Sequence, residues 1–176
     1  MAGAADQHRV LSPAASAVRV AIVTASDSRT TADNEGGRLL ASLAAGAGFQ
    51  VVGEALLREE PEALRAHVAE LAAAGTADAV LVTGGTGLSP RDRTPEAVGA
   101  LFERRLPGFG ELFRLLSFQE VGAAAMLSRA DAGVVGKVLV FLLPGSPAAV
   151  RLAMEKLIAP ELAHAVGQLR RRGHHG

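Results

Sequence analysis

Four apolar runs, each closed by small or polar residues, set the pattern of this chain. Residues 18–25, 49–57, 79–83 and 138–143 are rich in Val, Leu, Ile and Ala and are of strand length. Between them apolar positions recur at helical spacing. Leu39, Leu40 and Leu43 follow Asp33 and Asn34, either of which can cap a helix that stops near Gly46. Pro61 suits a first helical position, Leu64, Val68 and Leu71 follow at i, i+4 and i+7, and Gly75 closes that helix. Thr94 is placed to cap a further helix, with Pro95 behind it. Residues 107–128 stay helical through Phe109, Leu112, Phe113 and Leu116, with a break at Gly122, while residues 131–137 read as a turn-rich connection. After the last strand, Pro144-Gly145-Ser146-Pro147 leads into a helix through Val150, Met154 and Leu157. Pro160 interrupts it, and a short final helix runs towards Arg170.

Strands alternating with helices imply an α/β domain with a mostly parallel central sheet flanked by helices. Right-handed crossovers bring the carboxyl ends of such strands to one edge, where open sheets bind ligands. The segments reaching that edge are Ser26-Asp27-Ser28, Arg58-Glu59-Glu60, Gly84-Gly85-Thr86-Gly87 and Gly145-Ser146-Pro147.

Composition narrows the classes. The chain has 176 residues, 49% of them hydrophobic, enough for one domain with a substantial core. Residues 1–17 read as a flexible N-terminal tail, 18–167 as the domain and 168–176 as a basic tail. No apolar run approaches the roughly 20 residues of a membrane span, and no signal peptide is visible, so a cytoplasmic location is the expectation. Eighteen basic residues balance eighteen acidic ones, giving nucleic-acid binding no electrostatic support. The absence of cysteine excludes disulfides, thiolate metal sites and cysteine nucleophiles. Trp and Tyr are also absent, and the six phenylalanines are expected mainly in the core.

Glycine-rich Gly84-Gly85-Thr86-Gly87 leaves an apolar strand and precedes Asp92 and a helix start. Its backbone N–H groups are suited to an anion, above all a phosphate. The loop lacks the Gly-Lys-Ser/Thr of a Walker A motif and the third glycine of a dinucleotide fingerprint. Asp92 is either a solvated carboxylate or part of a Mg²⁺–phosphate site. Ser26 and Asp27 either organise a turn or contact phosphate. Glu59 and Glu60 are either helix-start charges or a second carboxylate of the site. Ser146 is no hydrolase nucleophile, since the G-x-S-x-G elbow is missing, and Gly145-Ser146 before a helix better fits another anion contact.

Together these motifs resemble the molybdopterin-binding family that includes MogA, MoaB and the G domain of gephyrin. The match rests on Ser26-Asp27, Thr83 to Gly87, Asp92, Thr94-Pro95-Glu96, Pro107-Gly108-Phe109-Gly110-Glu111, Ser128-Arg129 and Leu143-Pro144-Gly145-Ser146-Pro147. Residues 115–122 and 158–162 are most similar to the MoaB branch. The resemblance implies a three-layer α/β fold, usually trimeric and hexameric in some MoaB-type members. It implies molybdenum cofactor biosynthesis, with MgATP adenylylating the terminal phosphate of molybdopterin, pyrophosphate leaving, and the product passing to a molybdenum insertion protein. Asp92 and Glu59 then become the catalytic, Mg²⁺-associated carboxylates. The phosphate and substrate contacts become Ser26, Asp27, Gly84, Gly85, Thr86, Gly87, Thr94, Gly145 and Ser146. Active relatives often carry Asp where this chain has Glu59, so a molybdopterin-binding or carrier protein with little catalysis is the alternative. A generic nucleotide-binding domain is a third reading, since fold alone does not fix function.

Overall fold

A computed structural model describes residues 12–30 and 32–171. The described residues form six strands and six α-helices. They are β1 (Arg19–Ala25), α1 (Glu35–Gly46), β2 (Gln50–Leu57), α2 (Pro61–Ala74), β3 (Ala79–Thr83), α3 (Thr94–Gly99), β4 (Arg104–Arg105), α4 (Pro107–Val121), β5 (Asp131–Val135), β6 (Val138–Leu143), α5 (Pro147–Ala153) and α6 (Ala159–Arg170). Strands and helices alternate except where β5 leads into β6 and α5 into α6. The strands form one sheet in the order β2-β1-β3-β6-β5-β4. The first four are mutually parallel, and β5 and β4 extend the sheet antiparallel to their neighbours.

Side-chain alternation divides each central strand between two cores. Val20, Ile22, Leu81, Leu139 and Phe141 pack under α1, α4, α5 and α6. Ala21, Val23, Val80, Val82, Val140 and Leu142 pack under α2 and α3 on the other face. The result is the three-layer arrangement. Strands covered on both faces must be apolar throughout, which is why they read as unbroken hydrophobic runs. The helix ends follow local chemistry. Asn34, rather than Asp33, caps α1 by accepting from the Gly37 N–H at 3.1 Å, and its amide donates to Thr24 Oγ1 at 3.0 Å. Asp33 instead accepts from the Thr30 hydroxyl at 2.8 Å.

Three expectations are corrected. Residues 131–137 form β5 and the hairpin turn into β6 rather than a loose connection. Gly133 is a strand residue whose missing side chain makes room for the Phe102 ring. Pro160 does not interrupt the last helix. A π-helical turn, Met154–Ile158, joins α5 to α6, and the shifted register places Pro160 in the first turn of α6, where its missing N–H is tolerated. Phe118 lies outside the core and is 59% exposed, because it falls on the solvent side of α4. A 3-10 turn, Ala15–Ala17, places Ala15 against the core, and α6 runs to Arg170 with Leu169 packed on the same core. Residues 1–11 and 172–176 of the expected tails lie outside the described residues.

One ion-pair cluster ties the chain's ends to the sheet. Asp78, at the start of β3, accepts from the Arg19 backbone N–H at 2.9 Å and from its guanidinium at 3.1 Å. Arg170 of α6 approaches the same carboxylate at 2.8 Å. Burial alone would raise the Asp78 pKa, but these guanidinium and N–H donors overcome it and hold the group at about 2. A depressed folded pKa stabilises the fold above the unfolded value of about 3.9, and that stability is lost as pH falls through about 2. Both arginines are partly exposed, so solvent screening limits the contribution to about 1–2 kcal/mol. Asp78→Asn should therefore lower the stability measured by urea unfolding near neutral pH. Its gap from wild type should shrink between about pH 4 and pH 2.

Candidate active site at the carboxyl edge of the sheet

In-register pairing sets the site. Thr24 of β1 pairs with Thr83 of β3, which pairs with Leu143 of β6, and Ala25 pairs with Leu57 of β2. Four strands thus end at one level, and the loops beyond them surround a cavity of about 500 Å³. Its floor is backbone. Gly84 has φ +101°, and a Cβ there would strike the Ala25 carbonyl oxygen. A Cβ on Gly145 would lie 3.4 Å from Gly84 Cα, and one on Gly36 only 3.1 Å from the Gly145 carbonyl oxygen. Three loops therefore meet glycine to glycine. The Gly84 N–H donates to Leu143 O at 3.0 Å, fixing the loop to β6.

The glycine loop is held from above by its own continuation. The Thr94 N–H donates to Gly85 O at 3.0 Å, and Asp92 Oδ2 accepts from the Ser89 N–H at 3.0 Å. Arg129 Nε donates to Gly87 O at 3.0 Å, while the rest of its guanidinium contacts the Asp92 carbonyl and the Glu96 carboxylate. One arginine from the segment just before β5 thus clamps the loop from Gly87 to the start of α3.

Asp92 and Glu59 both line the cavity. The Glu59 carboxyl is pushed above its ordinary range by burial first, then by the charges of Asp92 and Asp27, with Arg91 opposing. The negative charge of Asp92 thus raises the affinity of Glu59 for positive charge. Asp27 serves a different purpose. Its Oδ1 accepts from the Glu59 N–H at 3.0 Å and its Oδ2 from Arg91 Nε at 2.8 Å. The Glu59 N–H, followed by Arg91, holds Asp27 below its usual range. Arg91 also reaches Glu60 at 3.4 Å, so Asp27 braces the loops after β1, β2 and β3 together.

Of the residues singled out in the sequence, Ser26, Glu59, Gly84, Gly85, Thr86, Gly87, Asp92 and Gly145 line the cavity. Asp27, Thr94 and Ser146 do not. Asp27 is the brace described above. Thr94 is buried beneath Gly85 and opens α3 at its first position rather than capping it. Ser146 Oγ is used as the cap of α5, accepting from the Ala149 N–H at 3.3 Å. Thr24, Arg29, Gly36, Ala124 and Leu127 complete the wall without having been singled out. Arg29 carried a faint signal, being the first cation after β1. Ala124 and Leu127 arrive from the 3-10 segment after α4 and carried none. Among the described residues, no group of three or more His, Asp or Glu side chains is gathered for a metal.

The chain is an α/β domain of the three-layer class with a glycine-floored cavity, lined also by Glu59 and Asp92, at the carboxyl edge of its sheet. Residues 21–164 match the family model described as a probable molybdopterin binding domain, and the chain belongs to that family. It is 46% identical over 155 residues to molybdenum cofactor biosynthesis protein B of Bacillus subtilis (strain 168), covering 88% of this chain and 91% of the relative. A solved structure titled as molybdenum cofactor biosynthesis protein B superposes with a TM-score of 0.86 at 44% identity, covering 91% of this chain and all of the other. The tungsten cofactor synthesizing protein MoaB from Pyrococcus furiosus superposes at 0.79 with 32% identity, covering 88% and 98% of the two chains.

Gly85 provides a check on the loop. It has φ +62°, and a Cβ there would strike the Thr94 hydroxyl. Gly85→Ala should destabilise the fold by about 1–3 kcal/mol in urea unfolding. Thr94→Ala in the same background should recover the part due to the collision and leave the part due to backbone strain.

Proposed function

We propose that this protein acts in molybdenum cofactor biosynthesis by adenylylating the terminal phosphate of molybdopterin with MgATP. The observation that carries the reading is the pairing of Glu59 and Asp92 in one cavity floored by phosphate-compatible glycine loops. In the proposed reaction an oxygen of the molybdopterin phosphate attacks the α-phosphorus of ATP. The bond from that phosphorus to the bridging oxygen breaks, and pyrophosphate leaves with its electron pair. A phosphate monoester, with a second pKa of about 6, is already largely dianionic near neutrality, so no strong general base is required. The chain's task is alignment of two anions and stabilisation of developing charge.

Glu59 and Asp92 are the residues that would hold Mg²⁺. Magnesium binds through one or two carboxylates together with substrate phosphates, and the donor set fits that habit better than an all-protein cage. When bound, the ion would neutralise charge on the transferring phosphoryl group and the leaving pyrophosphate. The Gly84–Gly87 backbone would receive phosphate oxygens, and Arg129 would keep that loop in place. The raised proton affinity of Glu59 gives a pH sign: cation binding weakens as pH falls and Glu59 takes up a proton.

The exposed apolar side chains Leu112, Leu115, Phe118 and Val121 recur at three-residue spacing along α4. A trimer, or a dimer of trimers, is the assembly proposed to cover them, consistent with closed symmetry. Light scattering should give a trimeric or hexameric mass, and Leu115→Glu with Phe118→Glu should lower it. A monomeric wild type contradicts this.

The direct test of the reaction is incubation with molybdopterin and MgATP, following adenylylated product and pyrophosphate. Asp92→Asn should reduce turnover about a hundredfold, with unfolding nearly unchanged because the amide oxygen still accepts from the Ser89 N–H. Glu59→Gln should reduce adenylylation while sparing molybdopterin binding, and Glu59→Asp should keep or raise it. Tight molybdopterin binding without pyrophosphate release by the wild type would favour the carrier reading.

A further inference from the structure

The cavity has a second pole that the two carboxylates do not account for. Glu59 and Asp92 enter from the loops leading to α2 and α3, on one face of the sheet. The loop leading to α1, on the opposite face, brings Arg29 and Gly36 to the cavity wall. Arg29 Nη1 lies 3.5 Å from the position of a Cβ on Gly36, so the half-buried guanidinium rests over the first turn of α1.

Among the described residues, the two arginines whose guanidinium groups bridge the site loops are already engaged. Arg91 is held by Asp27 and Glu60, and Arg129 by Glu96 and two loop carbonyls. Among the described residues the Arg29 guanidinium meets no hydrogen-bond or ion-pair acceptor, and its charge contributes only a minor lowering of the Asp33 pKa. The first turn of α1 shows the same vacancy of partners. The Glu35 N–H donates to Asp33 O at 2.8 Å and the Gly37 N–H to Asn34 Oδ1 at 3.1 Å, whereas the Gly36 N–H between them meets no acceptor among the described residues. A guanidinium fork beside a free N–H at the start of a twelve-residue helix matches the oxygens of a phosphoryl group.

We propose that Arg29 and the Gly36 N–H bind a phosphoryl group of the ligand, at the pole of the cavity opposite Glu59 and Asp92. The identity of the ligand rests on the proposed function; the phosphoryl contact does not. Two poles solve a problem inherent in joining two anions. A cation held by the carboxylates would offset the charge of one phosphate group and the Arg29 guanidinium that of the other, so the partners could occupy one cavity without facing each other's full charge. The shared chemistry, a terminal phosphoryl dianion, can come from the nucleotide's polyphosphate or from the pterin's monoester.

Calorimetric titration of the full chain with pyrophosphate, MgATP and molybdopterin, in wild type, Arg29→Gln and Arg29→Lys, tests this. Arg29→Gln should weaken at least one of the three by roughly 10- to 100-fold, the scale of losing a charge-assisted contact. Its thermal midpoint should match wild type, and Arg29→Lys should recover only part of the affinity because charge is kept and the fork is lost. Loss confined to pyrophosphate and MgATP assigns the contact to the nucleotide, and loss confined to molybdopterin assigns it to the monoester. Equal affinities of Arg29→Gln and wild type for all three overturn the proposal, as does a wild type that binds none of them. A wild type with Arg29-dependent binding but no pyrophosphate release would sink the adenylylation reading and leave this one standing. Adenylylation with Arg29-independent affinity would do the reverse.

Discussion

Backbone-to-backbone contact between the loops after β1, β3 and β6 is the constraint on which the rest of the site depends. Gly84 lies against the Ala25 carbonyl, Gly145 against Gly84, and Gly36 against Gly145. A side chain on Gly84 would collide with the Ala25 carbonyl and one on Gly36 would crowd the Gly145 carbonyl, while a Cβ on Gly145 would just reach van der Waals contact with Gly84. These contacts exist because three parallel strands end in register, and the sheet's two apolar cores hold that register. Close packing of backbone at the ends of the parallel strands leaves glycines rather than larger side chains along this part of the cavity wall.

Charge is then distributed around this floor by loops that brace one another. Asp27 fixes the Glu59 backbone and captures Arg91, so the cation nearest the carboxylate pair is tied to the scaffold. Arg129 does the same for the glycine loop and the first turn of α3. Among the described residues that line the cavity, the half-buried Glu59 carboxylate at one pole and the Arg29 guanidinium, beside the Gly36 N–H, at the other meet no hydrogen-bond partner. Groups without protein partners inside a cavity are the ones available to a ligand.

Much of this was legible in the sequence, and the gaps have identifiable causes. The three inner parallel strands, β1, β3 and β6, are covered on both faces and so appear as continuous apolar runs, whereas β2 lies at the sheet edge and is largely exposed. β5 was hidden because Gly133 signals a turn locally while serving, in three dimensions, to admit Phe102. β4, at two residues, is too short to leave a pattern. The glycine loop, Asp92 and Glu59 stood out because their chemistry is local to strand ends. Asp27, Thr94 and Ser146 share those motifs but spend their polar atoms holding loops and helix ends, a division that residue type cannot reveal. Arg29, Gly36, Ala124 and Leu127 reach the cavity only through the register of the sheet and the packing of α1 and α4. Phe118 looked like core because an aromatic at helical spacing usually is, and only the packing of α4 places it outside.

The claim at the centre is that a ligand's phosphates lie on this glycine floor between two charged poles. A crystal structure of the full chain with molybdopterin and a non-hydrolysable MgATP analogue measures it directly. Phosphate density over Gly84 to Gly87, with an ion between Glu59 and Asp92, is the expected result. Phosphates bound elsewhere on the molecule, with that floor filled only by solvent, would contradict it.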